Sequence, residues 1–204
     1  MEIYTEPFLH IVITPPVDIY KYAESIFPEP PTILPGLRTN NKIHDMDIHN
    51  YLNDIVDEAY KVFLPRLEEE YPKMDFASLN KRKKYLFSHN TASSTPNIIR
   101  GLHLDHGSMI VLGMWYFKED GDTAGGDLYL MNPITKKTMT FEYGSNKLIL
   151  FPNLLTSWHA ITQRNATNVP RKFINILLES DTALHSYSRD GQHEPRKKVV
   201  NNFK

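Results

Sequence analysis

Two patterns of apolar positions divide this chain. Before residue 72 the spacing is helical. Ile19, Tyr22, Ala23 and Ile26 recur at three- and four-residue steps, which predicts a short helix that Asp18 can cap and Pro28 stops. Ile48, Leu52, Ile55, Ala59, Val62 and Phe63 lie on one face of a longer predicted helix, from a cap at Asp47 to about Tyr71. Pro65 is expected to kink or divide that helix. A β-branched run at 8–14 precedes both and reads as a strand, and the proline-rich stretch 28–36 reads as an extended loop.

After Lys84 the period changes. Short β-rich runs at about 84–90, 98–106, 109–118, 126–132, 137–142, 147–151, 157–163 and 171–179 follow one another. Turn residues separate them, at Gly107-Ser108, Gly121 to Gly126, Asn132-Pro133, Tyr143 to Asn146 and Asn165 to Pro170. No βαβ spacing appears, which argues against a doubly wound parallel sheet and for an antiparallel sandwich or jelly roll. The fold class expected is mainly β with flanking helices (α+β). The expected organisation is one domain over 1–180, with helical support at about 18–72 and a barrel at about 84–180. A polar tail or lid follows at 181–204.

Composition narrows the chemistry. The 204 residues contain no cysteine, which excludes disulfides, thiolate zinc sites and iron–sulfur clusters. A net charge of −1 gives no electrostatic footprint for nucleic acid, and no apolar run approaches the roughly 18 residues of a membrane span. The N-terminal stretch MEIYTEPFLH has no basic region of the secretory type, so a cytoplasmic location is expected. The basic run KRKK at 81–84 reads as a solvated surface.

The chemistry concentrates in His103, Asp105, His159 and Arg171. Two imidazoles and one carboxylate form a facial triad for non-haem iron(II) with coordination positions left open. His103 and Asp105 are two apart on a predicted strand, so they share a face, and Leu104 points the other way into packing. His106 is displaced from that face and is ranked as solvent-facing or supporting. Arg171 opens the run RKFINILLE, and its fork suits the distal carboxylate of a dicarboxylic acid. A zinc hydrolase is disfavoured because no H-E-x-x-H occurs, and a three-His cupin site because HLDHG lacks H-x-H.

In order along the chain, PFLHIVITPP with a helix ending IFP, HLDHG, MIVLGMWYFKED, AGGDLYL, LILFPN before WHAIT, and PRKFINILLE resemble an Fe(II)/2-oxoglutarate-dependent dioxygenase of the prolyl-4-hydroxylase-like type. The resemblance covers roughly residues 6–180. It implies a double-stranded β-helix (a cupin-like jelly-roll barrel), with N-terminal helices packed on one sheet. It implies iron held by His103, Asp105 and His159, and 2-oxoglutarate held by Arg171 with a hydroxyl contribution from Tyr116. Asn175 and Trp158 are expected to support these residues.

The implied reaction consumes O2, releases succinate and CO2, and hydroxylates an unactivated C–H bond. Halogenating relatives lack a carboxylate at the Asp105 position, so hydroxylation is expected. A peptidyl prolyl residue is the first expectation for substrate. A free amino acid or other small molecule, or a non-catalytic jelly-roll binding module, are the alternatives. The stretches TASSTPN at 91–97 and KEDGDTA at 118–124 are expected to be mobile loops flanking the mouth.

Overall fold

A computed structural model describes residues 1–30, 38–90 and 92–186. Its framework is two antiparallel sheets. The larger contains β1 (Glu2–Tyr4), β2 (His10–Ile13), β3 (Arg38–Lys42), β4 (Lys81–Asn90), β6 (Met109–Phe117), β9 (Leu148–Pro152) and β11 (Arg171–Ser180), in the order β1-β2-β9-β6-β11-β4-β3. The smaller contains β5 (Asn97–His103), β7 (Leu128–Met131), β8 (Thr138–Phe141) and β10 (Trp158–Arg164), in the order β5-β10-β7-β8. Chain neighbours are rarely sheet neighbours, because successive strands cross between the sheets as in a jelly roll.

Period-two alternation sorts the larger sheet's side chains into two cores. On β11, Ile174, Ile176 and Leu178 join the core beneath α2 (Met46–Glu70), whereas Phe173 and Leu177 join the core between the sheets. On β6, Val111, Trp115 and Phe117 face the helices, and Leu112 and Tyr116 face the barrel. Both faces of these strands are therefore buried, which is why β6 and β11 read as almost continuous apolar runs.

Helix α2 buries Ile48, Leu52, Val56, Ala59, Phe63 and Leu67 against the sheet. Its cap is Asp45, whose Oδ1 accepts from the Asp47 and Ile48 amides at 3.1 and 3.0 Å. Asp47, the expected cap, lies inside the first turn. The sequence offers both aspartates, and only Asp45 takes the extended backbone that capping needs. Pro65 does not divide the helix, which runs unbroken to Glu70. An interior proline costs about 3 kcal/mol. Burial of Phe63 and Leu67 on either side offsets that cost. In α1 (Val17–Ser25) the cap position belongs to Pro16, and Asp18 sits in the first turn without capping.

Two edge strands had no apolar signal. β3 has the sequence RTNNK and is held by its backbone ladder to β4, from Arg38 opposite Asn90 to Lys42 opposite Leu86. β1 pairs with β2 in the same way. The KRKK run is the start of β4, with Lys83 paired to Asp57 at 2.7 Å.

Each of the two stretches expected to be mobile loops carries a contact to the chain beside it. Ser93 pairs through its backbone with Thr167. Asp122 is buried in an ion pair with Arg164 at 2.8 Å. The first residues of the expected tail fold back, with the Leu184 amide on the Gly107 carbonyl at 2.8 Å. The rest of that tail, and part of the proline-rich loop, lie outside the described residues.

Candidate active site

His159 lies directly opposite His103 in the β5–β10 ladder. That pairing brings the two rings together, tilted by 52° with centroids 4.3 Å apart. Asp105 lies in the short segment between β5, which ends at His103, and the turn at Gly107-Ser108. Its Oδ1 stands 3.7 Å from His103 Nε2 and its Oδ2 3.3 Å from His159 Nε2. One ligand atom from each residue falls within 4.8 Å of the others. Leu104 is buried in packing, and His106 is exposed with its Nδ1 on Ser108 Oγ at 2.9 Å.

The orientation of both rings is set from behind. His103 Nδ1 donates to the Gly101 carbonyl at 2.7 Å, and His159 Nδ1 to the Ser157 carbonyl at 3.2 Å. Each Nε2 is then a lone pair aimed at the common centre. Arg100 Nε donates to His103 Nε2 at 3.3 Å, which fits that tautomer. Burial, with His159 alongside, pushes His103 down to about 4, so the ring stays neutral near neutral pH. Two imidazoles and a carboxylate converging on one point are a donor set that fits a divalent transition metal.

The triad lines one part of a cavity of about 210 Å³, and Arg171 lines another. Arg171 is fully buried. Its Nε donates to the Gly126 carbonyl at 2.9 Å and its Nη1 to Asn90 Oδ1 at 3.2 Å. Its guanidinium carbon lies 4.8 Å from the Tyr116 ring centroid, 5.0 Å from Tyr143 and 4.8 Å from Phe173. Its Nη2 is buried without a hydrogen-bond partner among the described residues. A buried cation held by neutral acceptors and aromatic faces calls for an anion, and the unpaired Nη2 supplies a donor for one.

Gly126 makes this close approach possible. Its φ of +94° suits glycine, and an added Cβ would sit 3.1 Å from Arg171 Cδ. Behind it, Arg164 donates to the Gly125 carbonyl at 2.8 Å, to Asp122 and to the Val169 carbonyl. The glycine-rich stretch thus forms a fixed shelf for Arg171.

The supporting residues take different places. Asn175 lines the cavity. Tyr116 is buried beneath the Arg171 guanidinium, its hydroxyl on Met114 Sδ at 3.6 Å, and it is not among the cavity-lining residues. Burial pushes that phenol's pKa up and the guanidinium opposes the shift. Trp158 does not reach the cavity; it is on the opposite face of β10 from His159, with its indole N–H on the Leu155 carbonyl at 3.1 Å.

Sequence reasoning missed Asn90, Arg38 and Arg100, all of which line the cavity. Arg100 is three residues from His103, a spacing that puts two side chains on opposite faces of a regular strand. A bulge removes that rule here: Ile161 pairs with Arg100 while His159 pairs with His103, so β5 carries one extra residue between them.

Comparison with solved structures places this arrangement on a known fold. A prolyl hydroxylase from Trichoplax adhaerens, in complex with a hypoxia-inducible-factor oxygen degradation domain peptide fragment, superposes with a TM-score of 0.55 at 14% identity, over 84% of each chain. A prolyl-4-hydroxylase from Pseudomonas putida superposes with a TM-score of 0.55 at 12% identity, over 85% of this chain and 93% of that one. At these identities the likeness shows the fold, a mostly β jelly roll similar to that of prolyl hydroxylases. No family model and no curated protein matches the chain. Among the described residues, no helix is long and apolar enough to cross a membrane.

Proposed function

We propose that this chain is an Fe(II)- and 2-oxoglutarate-dependent dioxygenase that hydroxylates an unactivated C–H bond. One observation carries the reading. A single cavity joins a His-Asp-His donor set to a buried arginine with an unsatisfied donor. Metal binding alone accounts for the first and not the second. A dicarboxylate that chelates the metal at one end and meets a guanidinium at the other accounts for both.

In this reading His103, Asp105 and His159 hold the iron, and Arg171 receives the C5 carboxylate of 2-oxoglutarate. The bound pair supplies dioxygen activation, with 2-oxoglutarate split to succinate and CO2. The chain supplies binding and orientation. The Gly101 and Ser157 carbonyls fix the imidazole tautomers. Asn90 and Gly126 fix the arginine. Leu112, Phe151, Ile161, Phe173 and Leu177 make apolar walls that keep bulk water from the reacting centre.

The cavity of about 210 Å³ is smaller than the roughly 300–1,000 Å³ of sites for drug-sized ligands. A peptide substrate would lie across the mouth and insert one residue. The Trichoplax adhaerens protein's complex with a peptide supports that mode, and a peptidyl prolyl residue is the substrate proposed.

The test is succinate release from 2-oxoglutarate with the iron-loaded protein under air, across proline-containing peptides and free amino acids. Stimulation by a peptide, absent in His159→Ala, is the expected result. No succinate with any substrate, and no slow uncoupled release without one, would contradict the reading.

A further inference from the structure

Asn175 is a polar residue set in an apolar wall. It stands at the middle of β11, with Phe173 and Leu177 two positions away on the same face. Its partners across the neighbouring ladders are Leu86 on β4 and Met114 on β6. All four neighbours are apolar, and Asn175 lines the cavity beside Phe173, Leu177 and Met114. Among the described residues its side-chain amide has no hydrogen-bond partner.

Other buried and half-buried asparagines tie segments of the chain together. Asn132 Nδ2 donates to the Pro7 carbonyl at 3.0 Å, Asn146 Nδ2 to the Pro15 carbonyl at 2.8 Å and Asn153 Nδ2 to the His106 carbonyl at 3.0 Å. Asn90 holds Arg171. Asn175 does none of this, and only a partner in the cavity offsets the cost of placing an amide among apolar side chains. We propose that Asn175 is a substrate-binding residue, pairing with an amide that adjoins the carbon to be hydroxylated. The proposal rests on the dioxygenase reading of the site.

The registers of the sheet locate Asn175 within the cavity. The Arg171 guanidinium lies 4.8 Å from the rings of Phe173 and Tyr116, which pair across β11 and β6. His159 meets Phe151 edge-on with centroids 5.0 Å apart, and Phe151 belongs to the cross-strand row Phe151–Leu112–Leu177. The row of Asn175 and Met114 lies between these two, about 7 Å from each along the strand. A co-substrate reaching from the guanidinium to the metal passes from β11 and β6 toward β9. Asn175 flanks that path on the side nearer β4 and β3.

A carboxamide presents an acceptor and two donors side by side. A second amide matches both kinds of group, whereas a carboxylate matches only the donors. Peptide bonds and the side chains of Asn and Gln carry an amide; the ionised ends of a free amino acid do not.

The experiment uses the full chain, anaerobic, with Fe(II) and saturating 2-oxoglutarate, and reads binding by calorimetry. The probes are acetylated, amidated alanine pentapeptides with Pro, Asn or Ala at the centre, and the Pro peptide with an ester in place of the peptide bond after proline. The ester is expected to weaken the Pro peptide at least about tenfold in the wild type and less than about twofold in Asn175→Leu. An Asn peptide at least about tenfold tighter than the Ala peptide, with that difference lost in Asn175→Leu, places the amide on the substrate's side chain and also supports the proposal. Asn175→Gln, which keeps the amide, should retain part of the preference.

Two further readings separate this role from a structural one. Asn175→Leu should keep or raise the melting temperature, since an apolar side chain joins an apolar wall and no hydrogen bond within the protein is lost. Its 2-oxoglutarate affinity should change less than about twofold. Binding indifferent both to the ester and to the central Asn, or no binding of any probe, overturns the proposal. A preference that survives in Asn175→Leu, a lower melting temperature, or a 2-oxoglutarate affinity that collapses does the same. Absence of a visible iron-to-2-oxoglutarate absorption band in the wild type would instead defeat the dioxygenase reading, and calorimetry would still decide the amide preference.

Discussion

Asn90 stands directly across the β4–β11 ladder from Arg171, and its Oδ1 accepts from Arg171 Nη1 at 3.2 Å. Both side chains are at most 5% exposed. Asn90→Ala is expected to cost about 1.5–3 kcal/mol, the range for a hydrogen bond to a charged group. It should weaken 2-oxoglutarate binding by about tenfold or more. Asn90→Asp should weaken it further while leaving the fold stable, because the new carboxylate competes for the same guanidinium. Calorimetric titration of 2-oxoglutarate into the iron-loaded variants checks both.

Asp122 and Arg164 form a buried ion pair at 2.8 Å behind the shelf that holds Arg171. Removing one partner leaves the other charged and buried, at a cost of about 3–5 kcal/mol. Asp122→Ala is expected to lose that much stability in urea unfolding, and Asp122→Asn less, since the amide oxygen can still accept from Arg164. A change below about 1 kcal/mol in Asp122→Ala would show that the shelf does not depend on the pair.

Gly107 separates Asp105 from the returning C-terminal segment. A Cβ at this position would meet the His185 carbonyl oxygen at 2.0 Å. Gly107→Ala must therefore push the 181–186 segment away or shift the Asp105 turn, at about 1–3 kcal/mol. Lower thermal stability together with weaker metal binding is the expected pair of results.

The metal-free protein should lose stability as pH falls from about 6.5 to 4. Burial pushes His103 and His185 each down to about 4 from the ordinary 6.5. Between those values the unfolded chain binds protons that the folded one refuses, so acid favours unfolding. Above about pH 6.5 neither histidine contributes to the pH dependence; at pH 4 each has cost about 3 kcal/mol. Urea unfolding at pH 7 and pH 5 in chelator checks the sign, and His185→Asn should reduce the slope.

How much of this was legible in the chain depends on where each residue's signal lies. The barrel strands could be read because β-branched runs alternate with Gly, Asn and Pro turns, and the triad because HLDHG and WHAIT stand among six stretches in the order the resemblance requires. Asp105 stands in the cluster although the regular strand ends two residues earlier, at His103. Arg100 was hidden by the bulge, which changes the face without changing the sequence period. β3, and Arg38 with it, was hidden because an edge strand held by its backbone ladder needs no apolar pattern. Asn90 belongs to no motif, and its role depends on a cross-strand pairing made 81 residues away. Trp158, adjacent to His159 in sequence, faces away from the cavity because neighbouring strand positions alternate.

The most direct measurement is an anaerobic titration of Fe(II) and 2-oxoglutarate into the intact protein, following the visible iron-to-2-oxoglutarate charge-transfer band. The wild type should develop the band. His103→Ala should abolish it, and Arg171→Ala should require about tenfold or more additional 2-oxoglutarate to reach it. A folded wild-type protein that binds iron without developing the band, or a band indifferent to Arg171→Ala, would contradict the assignment of this cavity to iron and 2-oxoglutarate together.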